Sequence, residues 1–155
     1  YYFEEPNTPV FYNNKYVKDN VKMPLAHGER VFGRWEYIRY FMDNSIQVIQ
    51  PDIGNAGGIT ETKRICDMAY TFDVGVQIHT CASHLLTPPS VQLEACIPNF
   101  VIHEQHMRSM NPSNQELTAK VVMPKNGYLD VTDDIGIGNE WSDKALASED
   151  QITLN

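Results

Sequence analysis

An ionisable side chain recurs along this chain at nearly constant spacing, each time after a short apolar run. The residues are Glu4, Glu29, Asp52, His79 and Glu104, with steps of 25, 23, 27 and 25 residues. Between them lie strand-like segments (Tyr1–Glu4, Val21–His27, Ile46–Gln50, Val74–Ile78 and Asn99–Ile102) and stretches with helical periodicity. Strand and helix in alternation, joined by short turns, mean βαβ units and a parallel sheet. The step is of the order of one βα unit of a barrel, since roughly 250 residues make eight. The expected fold is therefore α/β: about the last five units of a modified, TIM-like (β/α) barrel. In a barrel the carboxyl ends of the strands converge on one mouth, where active sites lie.

The intervening segments fit this reading. Val31, Trp35, Ile38 and Met42 stand at helical spacing, so one face of a helix over 31–42 is expected to pack on the sheet. A second amphipathic helix carries Ile65, Met68, Ala69 and Phe72, and Pro88-Pro89 suits the start of a third. A short helix is expected around Lys15–Asn20. Gly57-Gly58 serves a tight strand-to-helix turn. After about Asn111 the alternation stops, and 121–124 and 128–131 read as short strands around a Lys125-Asn126-Gly127 turn. The division expected is 1–110 for the barrel part and 111–155 for a tail that packs on it or on a capping domain.

The net charge of −8 argues against nucleic acid or an anionic membrane as partner, since both need a basic face. No apolar run approaches the ~20 residues of a membrane-spanning helix. The three cysteines, Cys66, Cys81 and Cys96, are odd in number and widely spaced. They read as reduced thiols of a cytoplasmic protein, with no zinc site implied. The opening YYFEEP, without an initiator Met, reads as an entry partway through a fold.

Asp52 and His79 end neighbouring strands, where a carboxylate can orient an imidazole, raise its basicity and leave its other nitrogen free to move protons. Glu4 and Glu29 are hard oxygen donors of the kind that suit magnesium. His27, His84, His103 and His106 have no such partner in the pattern and read as structural or supporting. Cys81 has no evident base, and Trp35 reads as packing.

Taken together, FEEP, HGER, QPDIGNAGG, VQIHT and PNFVIHEQ resemble the enolase superfamily, in particular its mandelate racemase-like subgroup. The resemblance covers Tyr1 to Gln105. It implies a modified (β/α) barrel capped by an α+β domain to which the carboxyl-terminal tail belongs. It also implies abstraction of the proton α to a carboxylate, with the enediolate held on Mg²⁺. Carried over residue by residue, Glu4 and Glu29 match the second and third metal ligands, and Asp52 and His79 the Asp–His dyad. Glu104 matches the last-strand acid that hydrogen-bonds the substrate carboxylate. Asn55 stands where another branch carries a lysine base, and an amide cannot serve as one. The wording is nearest to sugar-acid dehydratases of the galactonate and mannonate type, in which His79 would act as acid, base or both in turn. A small sugar acid as substrate and a homo-oligomeric assembly follow from the same resemblance.

The family's first metal ligand and a second acid/base group precede Glu4 and are not in this chain. It is therefore expected to need the amino-terminal part of the same protein and to be inactive alone. Two rivals remain: a racemase or epimerase of a 2-hydroxy acid on this scaffold, and a non-catalytic binding protein on a decayed barrel.

Overall fold

The computed structural model describes residues 1–148; residues 149–155, the end of the expected tail, lie outside the described residues. The chain divides into two compact units. The first comprises Tyr1–Thr80 and Leu93–Glu104, the second Cys81–Gln92 and Gln105–Asn155.

In the first unit four strands pair in parallel in chain order: β1 (Phe3–Glu4), β2 (Leu25–His27), β3 (Val48–Ile49) and β4 (Gly75–Val76). The register sets Glu4 against Ala26, His27 against Ile49, and Ile49 against Val76. Between them run α1 (Phe11–Asn20), α2 (Arg34–Met42), α3 (Ile53–Ala56) and α4 (Gly58–Thr71). The ladders are shorter than the apolar runs. Val21–Pro24 does not join β2, and α1 begins four residues before the expected Lys15. Asn99–Ile102 is not a strand but a single bridge, Val76 to Phe100, that continues the parallel order.

Apolar strand residues form the core: Leu25, Ile49, Val76 and Ile78 are fully buried. Against them pack Ile65, Cys66 and Ala69 of α4 and Tyr37 of α2. Of the residues expected to face the sheet Val31 is buried, but the inward face of α2 itself differs. Trp35 is 69% and Met42 76% exposed, whereas Tyr37, Tyr40 and Phe41 point inward. Tyr37 can sit inside because its hydroxyl donates to the Gly28 carbonyl at 2.8 Å, and Trp35 instead lies under the Arg34 guanidinium. On α4, Ile65 and Ala69 are buried as expected, but Phe72 at its end is 39% exposed.

Asn99 ties the fifth segment to β4. Its backbone carbonyl accepts from Val76 N at 2.8 Å, and its side-chain amide donates to the carbonyls of Val74 (2.8 Å) and Cys66 (3.3 Å). Asn99→Ala removes both side-chain bonds and should cost about 2 kcal/mol. Urea unfolding of the full-length protein would show a lower midpoint at unchanged slope.

The helix α5 (Thr87–Ala95) has residues in both units. The second unit otherwise contains a 3₁₀ turn (Met107–Met110), α6 (Pro112–Gln115) and α7 (Asp143–Ser148). The strands expected at 121–124 and 128–131 do not form. Lys125 and Tyr128 bridge across Asn126 and Gly127, both at positive φ, and Thr118 bridges Trp141. Buried His84 organises this unit: Nε2 lies 2.8 Å from the Ser109 carbonyl, and Nδ1 accepts from Val122 N at 3.3 Å. Asn139 donates to the His84 carbonyl at 3.0 Å.

Candidate active site

All five in-phase residues fall in the first unit. Asp52 and His79 form a parallel bridge beyond the ends of β3 and β4, which puts their side chains side by side. His79 Nδ1 is 2.8 Å from Asp52 Oδ2. The other oxygen, Oδ1, accepts from the amides of Gly54 (2.7 Å) and Asn55 (3.2 Å) at the start of α3. Asp52 is thus a helix cap and a histidine orienter at once, and is 7% exposed. The αL turn at Gly57 then redirects the chain into α4, as expected of the glycine pair.

His79 Nε2 lies 2.7 Å from Glu29 Oε2. Both ring nitrogens therefore face carboxylate oxygens, which only accept, and the arrangement is that of an imidazolium. Burial of the ring alone pulls its pKa down. The hydrogen bond to Asp52 and the charges of Glu104, Glu29 and Asp52 outweigh that pull, and the pKa is raised above 6.5. A pKa raised on folding stabilises the fold in full below about pH 6.5, and the contribution is lost as pH rises through the raised value. Asp52→Asn removes a hydrogen bond and a charge that both raise it. Histidine-resolved NMR titration of that variant should show His79 titrating at lower pH than in the native protein.

Glu104 accepts from the Thr80 amide through Oε2 at 2.9 Å, so it is anchored to the residue after His79. Glu4 ends β1, exposed. The Tyr2 phenol is partly buried, and burial, then the charges of Glu4 and Glu104, raise its pKa. The ends of the first and fifth segments thus act on the same ring. The structure joins Glu29, His79 and Asp52 by direct contacts and ties Glu104 to the Thr80 amide beside them, while Glu4 stands at the exposed end of β1.

Sequence reasoning passed over Glu5. It is held at φ 45, and its carboxylate reaches the buried His27 Nδ1 (2.7 Å) and Arg30 Nε (2.8 Å). Burial raises its pKa, but the bonds from His27 and Arg30 outweigh that and lower it. Of two adjacent glutamates, one is thus locked between β1 and β2 and the other left open. His27 and Arg30 gain a structural role. The pairing could have been suspected from the FEEP and HGER stretches, since both end neighbouring strands.

Among the described residues no three His, Cys, Asp or Glu side chains gather as a metal cluster. Magnesium needs less: one or two carboxylates, with water and substrate oxygens completing the shell. Glu29 and Glu4, hard donors at neighbouring strand ends, fit that requirement by chemistry.

A family model described as enolase C-terminal domain-like matches residues 1–145. The chain belongs to that family. A member of the enolase superfamily from Salmonella Typhimurium superposes with a TM-score of 0.95 at 42% identity, covering 99% of this chain and 40% of that one. An enolase from Agrobacterium radiobacter, solved with Na and L-malate bound, superposes with a TM-score of 0.86 at 29% identity, over 99% of this chain and 42% of that one. Among curated relatives, D-xylonate dehydratase of Haloferax volcanii is 27% identical over 89% of this chain and 34% of its own length. D-galactonate dehydratase of Pectobacterium atrosepticum is 31% identical over 66% of this chain and 30% of its own. This enolase-type chain therefore spans about a third of the length of the curated relatives it matches. Its parallel, chain-ordered strands are part of a TIM-like barrel, as the spacing implied.

Proposed function

We propose that the full-length protein is a Mg²⁺-dependent dehydratase of sugar acids, with the site on this chain supplying its acid/base group. The observation that carries the reading is the His79 ring, fixed by Asp52 at Nδ1 with Nε2 turned into the strand-end cluster. The dehydratase names of the xylonate and galactonate relatives support the reaction class.

In this reading Asp52 orients the ring and keeps the proton on Nδ1, so Nε2 is the atom that gives and takes a proton. A proton α to a carboxylate is far less acidic than imidazolium, so its removal requires stabilisation of the enediolate. Glu4 and Glu29 would hold Mg²⁺, which when bound would supply positive charge to stabilise the enediolate. Glu104, anchored on Thr80 through one oxygen, would meet the substrate carboxylate with the other, a contact between two acceptors that needs a proton between them. Loss of the 3-hydroxyl as water then needs a proton, which His79 Nε2, turned into the strand-end cluster, would give.

Two further expectations belong to this reading. A reducing, cytoplasmic setting for the thiols of Cys66, Cys81 and Cys96 is part of the proposal. Self-association into a homo-oligomer would appear as a multiple of the chain mass in light scattering. Among the described residues no helix is long and apolar enough to cross a membrane.

A screen of the full-length protein against aldonic and aldaric acids tests the proposal. A 2-oxo-3-deoxy acid should form with Mg²⁺ and not after chelation. Chelator-insensitive turnover would remove the metal from the account. Inertness towards every acid would favour a binding role.

A further inference from the structure

Glu94 is a carboxylate with no place in the site just described, yet it is buried in the first unit. It stands on α5 with its side chain 5% exposed, where an unpaired charge would cost several kcal/mol. Its Oε2 lies 2.7 Å from Nδ1 of His103, whose own side chain is 13% exposed. The remaining atoms, Glu94 Oε1 and His103 Nε2, are buried without a hydrogen-bond partner. Burial raises the pKa of Glu94; the His103 ring and the Ile78 amide offset part of that rise.

The partner of Glu94 holds a particular position: His103 immediately precedes Glu104. Consecutive residues are thus used differently: His103 engages the helix while Glu104 engages the Thr80 amide. Likewise Ile78 is fully buried in the core while His79 meets Asp52 and Glu29. One buried carboxylate thus holds the residue directly behind Glu104, and Glu104 in turn holds the Thr80 amide next to His79.

We propose that Glu94 is a positioning residue: paired with His103, it fixes the directions in which Glu104 and His79 project into the site. This inference rests on the acid/base reading of His79 and Glu104. Near-attack geometry is exacting, and a displacement of about 1 Å can cost on the order of 100-fold in rate.

The experiment compares Glu94→Leu, Glu94→Gln, His103→Ala and His79→Asn in the full-length protein with a sugar acid that the native enzyme turns over. Glu94→Leu and His103→Ala should each lower kcat by about 10- to 100-fold with KM changed less than threefold. Both should also displace the ring NMR signal of His79. Glu94→Gln keeps the shape and an oxygen for His103, and should recover most of the loss. A purely structural Glu94 would lower the melting temperature and leave kcat and the His79 signal in place, and that outcome overturns the inference. If Glu94→Leu does not fold, His103→Ala against Glu94→Gln decides by the same readouts. Retained activity in His79→Asn would instead overturn the acid/base reading. If the native protein turns over no sugar acid, that reading fails as well, and the His79 signal in the Glu94 variants still tests the positioning.

Discussion

His79→Asn should lower kcat for the native sugar acid by on the order of 10²- to 10⁴-fold, the range that positioned general acids and bases supply. The substitution keeps a polar group facing Asp52 but has no atom with a pKa suited to proton transfer. Substrate binding should persist, because in this account His79 is neither a metal ligand nor a contact of the substrate carboxylate. The loss should therefore appear in kcat, with KM little changed. Asp52→Asn should lose less, since the ring remains and only its orientation and basicity suffer. Equal losses in the two variants would mean that Asp52 does more than orient.

Gly28→Ala is expected to be the most damaging substitution of a non-catalytic residue in the first unit. A Cβ there would stand 2.4 Å from the backbone N and C of Gln50 and 2.6 Å from its carbonyl oxygen. Nothing flexible can yield: Gln50 N is hydrogen-bonded to the His27 carbonyl at 2.8 Å, so β2 and β3 would have to part. Relief of such a clash should cost about 3 kcal/mol, the upper end for an overpacked core. Gly28 also precedes Glu29 and carries the carbonyl that satisfies Tyr37. The variant should therefore lose Mg²⁺ affinity as well as thermal stability, which calorimetry would report together. Gly127→Ala, at a turn with nothing within 4 Å of the new Cβ, is the contrasting control; its cost is confined to its positive φ of 82.

The rhythm of Glu4, Glu29, Asp52, His79 and Glu104 was legible because it reflects the repeat of the barrel itself. Strand lengths were not. Apolar runs such as Val21–His27 contain residues that are merely buried next to the ladder, and hydropathy does not separate these from paired ones. The face of α2 was misjudged because its aromatics occur on every side. Whether Tyr37 or Trp35 goes inward depends on a hydroxyl finding the Gly28 carbonyl, which no periodicity encodes. Glu4 and Glu5 could not be told apart by spacing; the bonds of Glu5 to His27 and Arg30 separate them. Glu94, in the unremarkable run SVQLEAC, is conspicuous only once its burial and its contact with His103 are seen. In the tail the Lys125-Asn126-Gly127 turn forms but its flanking strands do not, since isolated β-like runs form strands only when a sheet edge receives them.

In the proposed reaction a strand-end group takes the proton from the carbon next to a carboxylate, and water then leaves. Turnover in deuterated water tests it most directly. NMR of the product from the full-length protein should show a 2-oxo-3-deoxy acid with one solvent deuteron at C3, and the His79→Asn variant should give almost none. Deuterium at C2 of recovered hydroxy acid, with no water lost, would contradict dehydration and make this site a racemase.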